Sequence, residues 1–133
     1  MGRQALPAAA RLRRRREFER VYNGGTRAHG RFMTVFALPN GGPETRLGVA
    51  ATRKIGSSVD RNRAKRLARE LFRRRTIAAG FDVVVVPRRE MLDAPFTSLE
   101  ADYDVALDRA RTGTSSSRRG APGARRPRLA QGI

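Results

Sequence analysis

The run Phe81-Asp82-Val83-Val84-Val85-Val86-Pro87 restricts the fold more than any other stretch of the chain. Its four consecutive valines are β-branched at both odd and even positions, so the strand they favour presents apolar side chains to both faces of its sheet. A strand of that kind is expected at the inside of a layered structure, covered on both sides. The run is also the longest uninterrupted apolar stretch, far short of the ~20 residues that span a bilayer, and a cytoplasmic protein without a membrane partner is the simplest expectation.

The segments around it read as helices and strands in turn. Residues 1–12 carry alanines, Pro7 and scattered arginines and are expected to be a basic disordered N-terminus. "RRREFERVYNGG" places Phe18, Val21 and Tyr22 at i, i+3 and i+4 and predicts a short helix stopped by Gly24-Gly25. "RFMTVFALP", Arg31 to Pro39, predicts a strand, and "TRLGVAAT" alternates Leu47, Val49 and Ala51 on one face of another. The turn composition of "NGGPE" between them predicts a hairpin. Ser57-Ser58-Val59-Asp60 has the pattern of a capping box, opening a long helix to about Ala79 with Gly80 beyond its end. Thr97-Ser98-Leu99-Glu100 has the same pattern and predicts a last helix. From Gly113 the chain is Gly, Ser, Pro and Arg with too little apolar content to fold, a disordered basic tail over 113–133. The expectation is one α/β (α+β) domain over 13–112, a helix-strand-strand-helix-strand-helix sandwich with a mixed central sheet.

Charge is distributed unevenly along that order. The chain of 133 residues has a net charge of +17, far beyond what solubility needs, and a polyanion is the partner such a balance implies. Residues 1–75 hold 20 Lys or Arg against 5 Asp or Glu, whereas residues 76–112 hold 4 against 7. One region is therefore the electrostatic footprint. Within "VDRNRAKRLARELFRRR", Ala64, Leu67, Ala68, Leu71 and Phe72 form one apolar stripe at i, i+3, i+4, i+7 and i+8. Asn62, Lys65, Arg66, Arg69 and Arg73 fall on the opposite side, with Arg61 and Arg63 on its flanks. Like charges four residues apart repel in the free protein, and a bound polyanion turns that repulsion into attraction. The helix N-terminus, preceded by Arg53 and Lys54, adds unsatisfied N–H groups suited to phosphate.

Catalytic chemistry finds little support. There is no Cys and one His, His29, so thiol catalysis, Cys-based zinc sites, multi-His metal sites and a Ser-His hydrolase are excluded. His29 is read as a surface or loop residue, and Asp102, Asp104 and Asp108 as solvated acids on a helix face. No catalytic or metal-ligating residue is assigned. Phe18, Tyr22, Phe32 and Phe36 lie beside arginines, the mixture that holds single-stranded nucleic acid by stacking and backbone contacts, although aromatics at these spacings are equally suited to a core. A basic helix of this type also enters the DNA major groove, and a ribosomal protein shares the same basic helix and tails.

"REFERVYNGGTRAHGRFMTVFALPN", "RLGVAATRKIGSSVDRNRAKRLARELFR" and "GFDVVVVPR" together resemble the protein component of bacterial ribonuclease P over residues 11–111, most specifically in "RNRAKRLARE". The resemblance implies an accessory protein that joins a catalytic RNA to remove the 5′ leader of precursor tRNA, one protein per RNA. It implies that the RNA, with Mg²⁺ that it mainly holds itself, performs the hydrolysis. The family's RNA contacts map onto Arg61, Asn62 and Arg63, followed by Lys65, Arg66 and Arg69, with Arg53 and Lys54 before them. Its leader-binding cleft maps onto Phe18, Tyr22 and Phe36. It further implies a left-handed βαβ crossover, against the usual rule. Thr52-Arg53-Lys54 and Ser57-Ser58 depart from the family's common Ser-Lys-Lys and Asn-Ala, with charge and capping capacity kept.

Overall fold

The computed structural model describes residues 6–75, 77 and 80–113. Its elements are α1 (Arg15–Gly24), β1 (Thr26–His29), β2 (Met33–Pro39), β3 (Arg46–Val49), α2 (Ser58–Arg74), β4 (Phe81–Pro87) and α3 (Phe96–Thr112). The four strands form a single sheet in the order β1-β2-β4-β3. β2 is antiparallel to both β1 and β4, and β3 is parallel to β4.

The valine run therefore occupies an inner strand, and its two parities feed two cores. Val83 and Val85 point to the side of Val35, Ala37, Leu47, Leu71, Leu99, Tyr103 and Leu107, where α2 and α3 pack. Val84 points to the other side, against Phe18, Val21, Tyr22 and Phe36, where α1 packs. The order of layers is α1, sheet, then α2 with α3. A mixed sheet between helices is as expected, and β3-α2-β4 is the crossover unit.

The expected hairpin of β2 with β3 does not form. β4 inserts between them, because a strand apolar on both faces gains most from neighbours on both edges, and β3 then pairs with β4 in parallel. A fourth strand, β1, was not expected; it covers the outer edge of β2 with Thr26 opposite Ala37 and His29 opposite Thr34. Residues 6–12, expected to be disordered, are instead folded against the sheet. Leu6 and Leu12 are buried, Arg11 bridges Leu47 in parallel, and the Leu12 N–H donates to the Leu47 carbonyl at 2.9 Å. This strap shields the outer edge of β3. Residues 1–5 and the tail over 114–133 lie outside the described residues.

Helix ends follow local chemistry with two exceptions. Ser57 caps α2, its hydroxyl accepting the Asp60 N–H at 3.2 Å while Asp60 Oδ2 accepts the Ser57 N–H at 3.3 Å. α1 ends on Gly24 with Gly25 as its cap. However, α2 stops at Arg74, short of the expected Ala79, which itself lies outside the described residues. Arg75 is extended, and its guanidinium is held by Asp104, at 3.2 Å, and by Asp108 on α3; these ion pairs draw the backbone off the helical path. The Thr97-to-Glu100 box is also unused. Pro95 is the N-cap and its carbonyl takes the Ser98 and Leu99 N–H groups, so the helix starts two residues earlier, at Phe96.

Candidate nucleic-acid interface

The start of α2 is built to hold cations in place. Thr52 Oγ1 accepts the Lys54 N–H at 3.3 Å, opening a 3₁₀ turn over Arg53–Ile55. Ile55 is buried beneath it, with Ala51, Ala64 and Leu92. Gly56 follows with φ at 139°, a backbone conformation that side chains disfavour, and a Cβ there would strike the Asp60 carboxylate and Arg89. The turn thus delivers Arg53 and Lys54, both exposed, directly before the capped helix end.

The Arg-Asn-Arg segment is partly anchored to backbone carbonyls. Arg61 Nη1 donates to the Gly56 carbonyl at 3.0 Å and Arg63 Nη2 to the Leu92 carbonyl at 3.0 Å. Each guanidinium is oriented by one bond and keeps further N–H groups for a ligand. Asn62 and Arg66 are exposed, and neither side chain is hydrogen-bonded or ion-paired among the described residues. Arg73, expected on the same face, is instead paired with Glu70, which also holds Arg74. The uncompensated face therefore ends at Arg69.

Lys65 and Arg69 are half-buried and turn toward the N-terminal strap. With Arg11, Arg13 and Phe18 they line a cleft of about 290 Å³ that contains no acid. Burial, reinforced by Arg69 and Arg61, holds the Lys65 ammonium below its ordinary pKa. Arg69 is lowered by burial and then by Arg11. Four cations around one cleft is an arrangement a phosphate would stabilise. Sequence alone misses Arg11, which falls in the N-terminus expected to be disordered over 1–12, and Arg13, which opens the folded domain with nothing to show that it turns toward α2; the apolar Leu6 and Leu12 are the available signal.

Phe18, Tyr22 and Phe36 come together as expected, but as packing. The rings of Tyr22 and Phe36 meet edge to face at 4.9 Å and those of Phe18 and Tyr22 at 6.5 Å. Their exposures are 1%, 7% and 4% for Phe18, Tyr22 and Phe36, so they fasten α1 to the sheet rather than offer open stacking surfaces. Phe18 fits because Gly48 leaves it room: a Cβ at Gly48 would lie 2.6 Å from Phe18 Cζ. The Tyr22 hydroxyl is buried without a partner among the described residues, and burial pushes its pKa up. Beyond α1 the same sheet face continues. The pairing of Arg27 with Phe36, His29 with Thr34 and Thr34 with Val86 sets these residues side by side, with half-buried Val86 as the floor.

A second charged group closes the opposite end of α1. Asp82, 1% exposed, takes a bidentate pair of bonds from Arg46 at 2.9 and 2.8 Å and one from Asn40 at 2.9 Å. Arg46 also reaches Glu17 of α1 at 3.3 Å. The acids read as solvated on α3 have partners: Asp102 accepts the Arg31 and Phe32 N–H groups, each at 2.8 Å, while Asp104 and Asp108 hold Arg75. Among the described residues no three His, Cys, Asp or Glu side chains gather into a metal site, and no helix is long and apolar enough to cross a membrane.

Comparison with known proteins agrees with this geometry. The family model described as Ribonuclease P matches residues 6–111, the strap included. The chain is 38% identical over 99 residues to the ribonuclease P protein component of Caldanaerobacter subterraneus subsp. tengcongensis, covering 73% of this chain and 85% of that one. It is 41% identical over 98 residues to that of Desulfovibrio desulfuricans, covering 71% and 75%. The solved ribonuclease P protein of Thermotoga maritima superposes with a TM-score of 0.68 at 35% identity, covering 74% of this chain and 96% of that one. A mutant ribonuclease P protein of Staphylococcus aureus gives 0.69 at 27%, covering 77% and 89%. With its sequence and its fold in agreement, the chain belongs to the ribonuclease P protein family.

Proposed function

We propose that the exposed start of α2 and the cation-lined cleft beneath it seat the phosphate backbone of ribonuclease P RNA, and that the sheet face beside α1 receives the single-stranded 5′ leader of precursor tRNA. Family membership makes the chain a subunit of an endoribonuclease that processes tRNA. The observation that carries the RNA site is the convergence of Arg11, Arg13, Lys65 and Arg69 on one cleft with no acid among its lining residues, where a bound anion relieves their repulsion.

These residues supply positive charge and hydrogen-bond donors, so they fit phosphates and do not fit Mg²⁺. In this reading Mg²⁺ is held by the RNA, which carries out the hydrolysis, one protein serving each RNA. The protein's part is electrostatic and positional. Because Phe18, Tyr22 and Phe36 are packed under α1, the leader runs along Thr34 and Val86, with Arg27 at its side and the aromatic cluster as a wall.

The test is discrimination between precursor and mature tRNA. Binding of each to the RNA subunit is measured with and without the protein at physiological salt. The protein is expected to tighten binding of the precursor and leave the mature tRNA nearly unaffected; equal effects on both would remove the leader from the sheet face.

A further inference from the structure

The same sheet face holds, at its outer edge on β1 and β2 and just past the end of β4, a polar cluster of its own. His29 Nδ1 lies 3.1 Å from Thr34 Oγ1 and 3.4 Å from Arg88 Nη2, and Arg88 Nη2 lies 3.3 Å from Thr34 Oγ1. Arg27 stands two residues before His29 on β1 and on the same face. From the α3 side the acid that reaches this end is Asp102, whose carboxylate is engaged by the Arg31 and Phe32 N–H groups. Arg31 itself lies over the Phe32 ring, 5.2 Å from its centroid. Two arginines and a hydroxyl are thus among the groups around His29.

The bonding of this cluster depends on whether the ring is protonated. A guanidinium can only donate, so in the neutral tautomer with its proton on Nε2 the ring accepts from Arg88, at 3.4 Å, through Nδ1. Once Nδ1 carries a proton it donates to Thr34 Oγ1 instead, and the Arg88 N–H that pointed at it loses its acceptor and is repelled. Arg88, Arg27 and the imidazolium then form a triad of cations open to solvent. In the unliganded protein this state is opposed, since burial first, then Arg27 and Arg88, hold His29 below its ordinary value. A phosphate oxygen between them removes the opposition.

We propose that Arg27, His29 and Arg88 form a proton-coupled phosphodiester site, in which single-stranded RNA is bound with uptake of one proton by His29. This rests on the reading of the sheet face as the leader path. By linkage, protonation tightens RNA binding by the same factor by which RNA favours protonation. A one-unit rise in the His29 pKa on binding corresponds to about tenfold in affinity across the titration.

His29 is the only histidine in the chain, which makes the test direct. The full-length protein is titrated with a short fluorescent oligouridylate between pH 7.5 and 5.5, a range in which the bases and phosphodiesters keep their charge. The His29 ring protons are followed by NMR with and without the oligonucleotide. Affinity is expected to rise about three- to tenfold as the pH falls, the ring pKa to move up in the complex, and His29→Gln to bind with a flat pH profile. Binding with no change in the ring's titration, or an undiminished pH dependence in His29→Gln, overturns the proton-coupled site while leaving the leader path standing. Oligouridylate that binds without perturbing β1 and β2 resonances overturns the leader path, and the proposal with it.

Discussion

Replacing Asp82 by alanine removes the acceptor on which Arg46, Asn40 and, at 3.8 Å, Arg20 converge. Asp82 lies on the inner strand β4 and is almost fully buried, so its charge is tolerated only through those bonds. Breaking a buried ion pair by deleting one partner costs about 3–5 kcal/mol, chiefly through the charge left behind. Here the remaining Arg46 side chain is 26% exposed and keeps Glu17 at 3.3 Å, which places the expected loss near the lower end, about 3 kcal/mol. For a domain of this size that corresponds to a fall of ~12–20 °C in Tm. The loss also has a pH signature. The bonds from Arg46 and Asn40 outweigh burial and hold the Asp82 carboxyl below its ordinary value. Its contribution is therefore complete above the unfolded pKa, about 3.9, and disappears as the pH falls through the lower folded value. Urea unfolding followed by circular dichroism at pH 7, 5.5 and 2.5 should give equal deficits for Asp82→Ala at the first two and a smaller one at the third. A deficit below about 1 kcal/mol at pH 7, or one that grows on acidification, refutes this account of the cluster.

Other substitutions test individual joints. Ser57→Ala should cost about 1 kcal/mol in urea unfolding by removing the α2 cap, and Ser57→Asp should restore most of it. Gly48→Ala should destabilise by about 1–3 kcal/mol, because its methyl group collides with the Phe18 ring beneath α1; combining it with Phe18→Leu should recover part of the loss. Arg66→Ala, which breaks no bond among the described residues, should weaken binding to the RNA subunit by about 1–3 kcal/mol and lower the steepness of its salt dependence by ~1. Titrations at several salt concentrations would show an unchanged slope if Arg66 faced solvent alone.

What could be read from sequence was what local chemistry decides. The Ser57 and Asp60 box needs only four residues in order, and the stripe of Ala64, Ala68 and Leu71 needs only helical periodicity; both are found in place. The inner position of β4 followed from valines on both parities. Pairing between distant strands was not legible in the same way, since the short link between β2 and β3 suits a hairpin whereas the gain from burying β4 on two edges is a property of the whole sheet. β1 is short, polar at Thr26, Arg27 and His29, and lies at an edge where burial leaves little pattern. The strap was hidden by its composition, Ala and Arg, and only Leu6 and Leu12 fasten it. Along α2, charge marked the side of the helix that faces away from the core but could not show that Glu70 neutralises Arg73 or that Arg11 and Arg13 return to join Lys65 and Arg69. Aromatic residues beside arginines suggested stacking surfaces, and the space left by Gly48 shows why Phe18 is packed instead.

The most direct measurement of the central claim is leader removal in a reconstituted system. Precursor tRNA is incubated at physiological salt with Mg²⁺ and either the protein, the ribonuclease P RNA or both. The account predicts no cleavage by the protein, weak cleavage by the RNA, and efficient release of the leader by the two together, with Arg66→Ala reducing the gain. Cleavage by the protein alone, or no gain when it is added to the RNA, would contradict it.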